Sequence, residues 1–193
     1  MRRVCRGHDS DSFTQIMVRE AQLEQREHGL APSSSGWFVL NATDAAWVDG
    51  PFGAYTPFES REHRFPQTGV NVAVLGPGQP NSRYHAEDAQ EDFLVLDGEC
   101  LLIVEGQERA LRRWDFVHCP PWTEHVFVAT GERPCVLLAI GHRRDQEIVY
   151  PVSDVARAHG AGVAEQTDDP SVAYADVAPD QPAAFRAGWL PGT

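Results

Sequence analysis

The pattern that most constrains the fold lies between residues 36 and 141. There, short runs rich in Val, Leu, Ile, Phe and Trp alternate with turn signals built from Gly, Pro and Asp. Closely spaced strands with turns between them are typical of an antiparallel sandwich or barrel. Two of the turns, Asp97-Gly98 and Glu105-Gly106, suit tight hairpins because glycine accepts a positive φ. The predicted strands are 37–40, 69–75, 92–96, 99–104, 109–117, 125–129 and 135–140.

The segments on either side of this region lack the pattern of short apolar runs and turns, so we expect the chain to have three parts. Residues 1–35 form an N-terminal extension, in which the apolar spacing of residues 12–28 predicts a helix. Residues 36–141 form the barrel. Residues 142–193 form a C-terminal extension with a helix over 152–159, in which Ser153 is the N-cap and Gly160 the stop. A second short helix is predicted over 171–175, and the tail from residue 176 is expected to be irregular or to wrap the barrel.

Composition excludes several function classes. The net charge is −12 and no basic cluster is longer than a pair within the strand-rich region, so nucleic-acid binding is not expected. All 16 cationic side chains are arginines, which excludes chemistry that needs a Schiff-base or P-loop lysine.

Location in the cell is predicted from segments that are missing. The sequence has no apolar run long enough to span a membrane. Polar residues follow Arg2 and Arg3, so no signal-peptide core is present. None of the four cysteines forms a C-x-x-C pair, and a cytoplasmic location is the expectation.

One stretch carries an unusual set of polar side chains. If the chain is extended from His85 onward, His85, Glu87, Glu91 and Phe93 project on one face, whereas a loop between Glu87 and Glu91 would weaken this argument for Glu91. A face that enters a core should not carry two carboxylates, because burying an unpaired carboxylate is costly. Either this face is open to solvent or a cation neutralises it, and imidazole and carboxylate ligands suit divalent metal ions.

A second stretch repeats the arrangement. A predicted strand ends at Pro120-Pro121, a short turn follows, and a new strand begins at His125. On that strand His125 and Phe127 share one face. A polar candidate ligand therefore again precedes apolar residues at a strand entrance.

These two stretches resemble the motifs of the cupin superfamily. In the first motif, G-x5-H-x-H-x3,4-E-x6-G, His85, Glu91 and Gly98 match in type and spacing, whereas Glu87 replaces the second histidine. Gln79 stands at the opening glycine. In the second motif, G-x5-P-x-G-x2-H-x3-N, the matching residues are Pro120 and His125, and the substituted positions are Trp114, Trp122 and Ala129.

The resemblance implies an all-β, double-stranded β-helix (jelly-roll) barrel with short helical extensions. It also implies one divalent metal ion, with Fe, Mn, Ni, Co and Zn not distinguished, bound by His85, Glu91 and His125, with Glu87 as a further ligand. Glu87 is alternatively an outer carboxylate or a general base. Phe93 and Phe127 are expected in the core and as walls of a substrate pocket. The expected assembly is a homodimer.

Two functions from different classes remain open on the sequence. The first is a metal-dependent enzyme that acts on a small molecule inside the barrel, with dioxygenase, isomerase and lyase chemistry unresolved. The second is a non-catalytic module that binds a small ligand, because one fold hosts many functions.

Overall fold

The computed structural model describes residues 17–143 and 147–193. Within these ranges the chain is built almost entirely of strands. In chain order they are β1 (Leu23–Arg26), β2 (Gly29–Pro32), β3 (Ala46–Gly50), β4 (Gly53–Thr56), β5 (Thr68–Leu75), β6 (Ala86–Glu87), β7 (Glu91–Asp97), β8 (Glu99–Val104), β9 (Gln107–Arg112), β10 (Phe116–Cys119), β11 (His125–Ala129), β12 (Cys135–His142), β13 (Ile148–Val149) and β14 (Gln181–Ala184). The two helices are α1 (Asp154–Ala158) and α2 (Pro170–Ala173).

Two sheets make up the barrel. The larger has the strand order β10-β7-β12-β5-β4-β3-β14, and the smaller has the order β11-β8-β9. All pairings between named strands in these sheets are antiparallel. Two further pairs, β1-β2 and β13-β6, stand beside them. The architecture is the expected all-β double-stranded β-helix, with only short helices in its extensions.

The core lies between the two sheets and follows the two-residue alternation of each strand. The larger sheet contributes Leu75, Phe93, Val95 and Leu137, and the smaller contributes Cys100, Leu102, Phe127 and Ala129. The intervening residues of the same strands point outward, because successive side chains alternate faces. On β7 and β11 this alternation points every second side chain into the barrel, and these positions include the candidate ligands.

The outer faces of both sheets are also covered in part. Trp47 on β3 packs against Phe185 and Trp189 from the C-terminal tail, with ring centroids 5.8 and 5.0 Å apart. On the smaller sheet, Ala156 of α1 packs in a buried cluster with Ile103, Val126 and Val128. The C-terminal extension therefore contributes to the packing on both sides of the barrel.

The N-terminal helix prediction is wrong for the residues that the structure describes. Residues 23–32 form the hairpin β1-β2 instead, and residues 12–16 of the predicted helix lie outside the described residues. The predicted strand 37–40 is absent, whereas β3 and β4 were missed. The predicted run 109–117 is two strands, β9 and β10, because the chain turns at residues 113–115.

The C-terminal predictions are partly confirmed. The helix α1 begins after Ser153, whose side chain accepts a hydrogen bond from the Ala156 N–H, and Gly160 follows with φ +73°. The helix α2 lies at the second predicted place. The tail is not irregular throughout, since β14 joins the larger sheet beside β3. Neither helix of the described residues is long and apolar enough to cross a membrane.

Candidate metal centre

Two histidines face each other at one end of the barrel. The backbone N–H of His125 donates to the carbonyl of His85 at 2.9 Å, and the N–H of His85 donates to the carbonyl of His125 at 3.3 Å. This antiparallel bridge brings the imidazole rings to a centroid separation of 4.9 Å. Both residues are buried, with 8% of His85 and 1% of His125 exposed.

Backbone carbonyls set the orientation of both rings. The Nδ1 of His85 lies 2.7 Å from the Arg83 carbonyl oxygen, and the Nδ1 of His125 lies 2.9 Å from that of Thr123. A carbonyl only accepts, so each Nδ1 carries the hydrogen and donates it. The Nε2 of each neutral ring therefore keeps its lone pair, which is the arrangement found in metal-binding histidines.

Glu91 approaches the histidines from the opposite sheet. It is the first residue of β7, and its Oε2 lies 3.3 Å from Nε2 of His125 and 3.9 Å from Nε2 of His85. The next residue on its inward parity, Phe93, continues into the core. Chain alternation thus aims the carboxylate at both imidazoles.

Burial makes charge costly for all three groups. It lowers the pKa of His125 and, together with the neighbouring His125 ring, lowers the pKa of His85 to about 4. Burial also raises the pKa of Glu91 to about 7. A cluster that disfavours its own charged forms is typical of a functional site.

The donor set fits a divalent metal ion. The ligand atoms of His85, Glu91 and His125 all lie within 4.8 Å of one another. The buried Nε2 of His125 has no hydrogen-bond partner among the described residues. A buried acceptor of this kind is rare in folded proteins, and a bound cation would satisfy it. The cluster can therefore hold a metal through two neutral imidazoles and one carboxylate.

Glu87 stands next to this cluster. Its Oε1 lies 3.8 Å from Nε2 of His85, although Glu87 is not part of the compact three-atom group. Burial, and then the charge of Glu91, raise the pKa of Glu87. Its role as a fourth ligand or as a base stays a prediction.

Phe93 and Phe127 form the floor beneath the cluster. Their ring centroids are 4.5 Å apart, and the Phe93 ring lies 5.3 Å from that of His125. Only 4% of Phe93 is exposed and Phe127 has no exposed surface. Their place in the core is confirmed, and their contact with a substrate stays a prediction.

A loop lies between His85 and Glu91 in the chain. Of the two possibilities that the sequence leaves open, the structure has the loop, because β6 ends at Glu87 and β7 begins at Glu91. His85 and Glu91 meet across the barrel interior rather than along one strand face.

The two tryptophans at motif glycine positions keep a glycine-like backbone. Trp114 has φ +77° and Trp122 has φ +69°, both in the left-handed region that L-residues disfavour. The N–H of Trp122 donates to the Glu87 carbonyl at 2.6 Å, which ties the turn before His125 to the strand after His85. Gly98 also has positive φ, and a Cβ there would lie 2.5 Å from the Pro134 carbonyl oxygen.

Sequence reasoning missed three residues near the site. The sequence predicts Arg83 and Tyr84 to be surface or rim residues, whereas they are 8% and 1% exposed. Tyr150 lies on the C-terminal extension, yet its ring centroid is 6.0 Å from that of His85. The one sequence signal for the burial of Arg83 is its spacing of two residues from His85, which would place both on one face of a strand. Nothing in the sequence links Tyr150 to the motif.

Comparison with known families agrees with this geometry. Residues 71–141, which include every candidate ligand, match the family model described as the cupin domain. Residues 71–141 of the chain are therefore a cupin domain. No curated protein sequence matches this cupin.

Solved structures give a further set of similarities. One is a putative sugar phosphate isomerase from Acidithiobacillus ferrooxidans, with 28% identity, TM-score 0.41 and coverage of 43% of this chain and 54% of that one. This cupin thus spans about half the length of that protein. A cupin-superfamily sugar phosphate isomerase from Silicibacter pomeroyi shows 19% identity, TM-score 0.44 and coverage of 77% and 85%. A cupin-2 domain from Rhodospirillum rubrum shows 18% identity, TM-score 0.47 and coverage of 65% and 78%.

Proposed function

We propose that this cupin binds one divalent metal ion through His85, Glu91 and His125 and is a metal-dependent enzyme for a small molecule inside the barrel. The observation that carries the proposal is the pair of buried imidazoles whose Nε2 lone pairs face one carboxylate. A bound cation would satisfy the buried Nε2 of His125, which has no hydrogen-bond partner among the described residues.

The chain's own residues divide the work. Three protein ligands leave coordination positions open, and a bound metal would supply Lewis-acid or oxygen-activating chemistry there. Phe93 and Phe127 close the floor and exclude water from beneath the cluster. Glu87, 3.8 Å from Nε2 of His85, is placed to hold a ligand or to accept a proton from one.

Metal analysis tests the proposal directly. Protein purified without chelators, and then offered Fe(II), Mn(II), Ni(II), Co(II) and Zn(II) separately, is expected to retain one ion per chain. The matched variant is Glu91→Gln, which keeps the shape of the side chain and removes its charge. If the unchanged protein retains none of the five ions stoichiometrically, the proposal fails. Stoichiometric metal without turnover of any candidate substrate would favour the non-catalytic module.

The role of Glu87 is tested by Glu87→Gln. Since Glu87 lies outside the compact three-atom group, we expect the metal dissociation constant to rise less than tenfold. A larger rise, comparable to that of Glu91→Gln, would show that Glu87 is a fourth ligand. Isothermal titration of both variants with the same ion measures the difference.

The remaining predictions concern partners and location. A small-molecule ligand, a homodimer and a cytoplasmic location follow from the resemblance and the composition and are proposed here on that basis. Sedimentation that shows a monomer at micromolar concentration would contradict the homodimer.

A further inference from the structure

Arg83 is a buried cation outside the metal-ligand set. Its guanidinium donates to the carbonyls of Ala173, Gly160 and Gly162 at 3.1–3.2 Å and to the carboxylate of Asp176 at 2.6 Å. All four acceptors belong to the C-terminal extension, 77 to 93 residues later in the chain. One side chain thus fastens residues 160–176 to the barrel.

The backbone of the same residue acts on the site. The carbonyl of Arg83 accepts the Nδ1–H of His85 at 2.7 Å, which sets the tautomer that presents Nε2. The N–H of Arg83 donates to the hydroxyl of Tyr174 at 3.0 Å. The next residue, Tyr84, donates its N–H to the Ala161 carbonyl at 2.8 Å. The peptide units before His85 are therefore held by the C-terminal extension.

The extension also reaches the cluster itself. Ile148 on β13 pairs with Glu87 on β6, and the Tyr150 ring lies 6.0 Å from the His85 ring and 5.8 Å from that of Tyr174. These rings pack over the His85 side of the site. The same extension therefore contacts the metal centre and bonds to Arg83.

We propose that Arg83 is a positioning residue of the metal centre, through which the C-terminal extension fixes the orientation of His85. Arg83 touches no reacting atom, and it acts through the carbonyl that orders His85. The inference rests on the proposed metal-binding function for its affinity readout, but the tautomer of His85 can be measured without metal.

Physical chemistry indicates what losing the guanidinium would do. Its planar fork satisfies three carbonyls and a carboxylate together, which neither lysine nor a neutral side chain can reproduce. Without it, buried carbonyls lose their donors, and the extension has to shift to find others. The Arg83 carbonyl would move with its chain, and the ring of His85 would lose its fixed acceptor.

The experiment compares Arg83→Met with Arg133→Met in the full chain. Arg133 is a suitable control because its side chain is 76% exposed. Its only ion pair among the described residues, between its Nη1 and Oδ2 of Asp97, is 3.8 Å long and does not involve the metal centre. For the metal-free proteins, long-range proton–nitrogen NMR spectra report the ring tautomer. We expect the Nδ1–H form of His85 in the unchanged protein and in Arg133→Met, and a mixture of tautomers in Arg83→Met.

Metal binding gives the second readout. Loss of an outer group that orders a ligand costs roughly 10–100-fold in metal affinity, so we expect a rise of that size in the Co(II) dissociation constant of Arg83→Met. Its Co(II) absorption spectrum should change as well. A merely structural role would lower the melting temperature and leave tautomer, spectrum and dissociation constant unchanged, which would overturn the inference.

A milder variant covers the case in which Arg83→Met does not fold. Tyr174→Phe removes the hydroxyl that accepts the Arg83 N–H and that also bonds to the Tyr150 side chain, and we expect a smaller shift of the His85 tautomer in the same direction. If Tyr174→Phe keeps the tautomer of the unchanged protein, the inference is wrong. If the unchanged protein has the expected tautomer but binds none of the five ions, the proposed function fails and the positioning role survives.

Discussion

The two histidines of the metal centre are held in place by different kinds of contact. His125 donates its Nδ1–H to Thr123, and Thr123 is itself ordered by hydrogen bonds from its N–H and hydroxyl to the Pro120 carbonyl. The hydrogen bonds from His125 to Thr123 and from Thr123 to Pro120 all lie within six residues of chain. His85 donates to Arg83, whose side-chain partners lie 77 to 93 residues away.

This difference separates what the cupin domain supplies by itself from what this chain adds. The matched region 71–141 contains the turn that orders His125, whereas the groups that hold Arg83 lie in residues 160–176. The same kind of ligand, in the same tautomer, is supported locally on one side and remotely on the other. Changes to the extension should therefore affect His85 more than His125.

The largest expected effect is the loss of metal affinity when either histidine is removed, which tests whether the two histidines are equivalent as ligands. His125→Ala and His85→Ala are each expected to weaken metal binding more than about 100-fold, because losing an outer-shell group alone costs 10–100-fold. Isothermal titration with Co(II) or Zn(II) measures this. His118→Ala is the control, since His118 bonds to Asp92 with its side chain half exposed and lies outside the cluster. A His85→Ala protein with unchanged affinity would leave His125 and Glu91 as the centre.

The next effect is the pH dependence of metal binding. The pKa of Glu91 is raised to about 7, so in the metal-free protein this carboxyl is protonated below that pH and has to lose its proton to bind metal. The pKa of His85 is lowered to about 4, so this ring is already neutral near pH 6, and burial lowers the pKa of His125 in the same direction. Affinity should therefore fall by about tenfold per pH unit between roughly pH 6.5 and 5, for one proton released.

Calorimetry in buffers of different ionisation enthalpy counts the released protons. Because the pKa of Glu87 is raised as well, a count well above one at pH 6 that returns to one in Glu87→Gln would assign the extra proton to Glu87. A count of zero at pH 6 would contradict the assignment of Glu91 as a buried ligand. His85, with its pKa lowered to about 4, should release almost no proton at pH 6.

The smallest effect concerns the local turn before His125. Trp122 has φ +69°, a conformation that costs an L-residue roughly 1–2 kcal/mol and a β-branched residue more. We expect Trp122→Val to be less stable than Trp122→Gly by about 1–2 kcal/mol, since both remove the indole and differ in tolerance of positive φ. Chemical denaturation compares them. Equal stability of the two variants would show that the turn relaxes, and that His125 is not held as firmly as its contacts indicate.

The sequence predicted the site where spacing alone carries the information. His85, Glu91 and His125 were picked out by motif spacing, and the structure brings their ligand atoms within 4.8 Å of one another. The alternation of β11 was predicted correctly because its inward residues are uniformly apolar after His125. Strands β8 and β11 match their predicted bounds because turn residues stand at both ends of each strand.

Features that depend on distant contacts could not be predicted in this way. The sequence predicts Arg83 to lie on the surface because three of its four acceptors are backbone carbonyls, which every sequence position carries alike. The hairpin β1-β2 replaced a predicted helix because pairing of residues 23–26 with 29–32 outweighs a weak helical pattern. Residues 88–90 include no glycine or proline from which the loop could be predicted.

The long separation between Arg83 and its partners has a consequence for how the protein is made. Synthesis runs from the N-terminus, so the cupin strands leave the ribosome before the carbonyls of residues 160–173 exist as partners. Contacts between residues so far apart in the chain form late in folding, because closing a long loop costs entropy first. A nascent chain that ends soon after β12 therefore has the turn that orders His125 but lacks every side-chain acceptor of Arg83. The contacts that hold Arg83 beside His85 are therefore expected to form after the turn that orders His125.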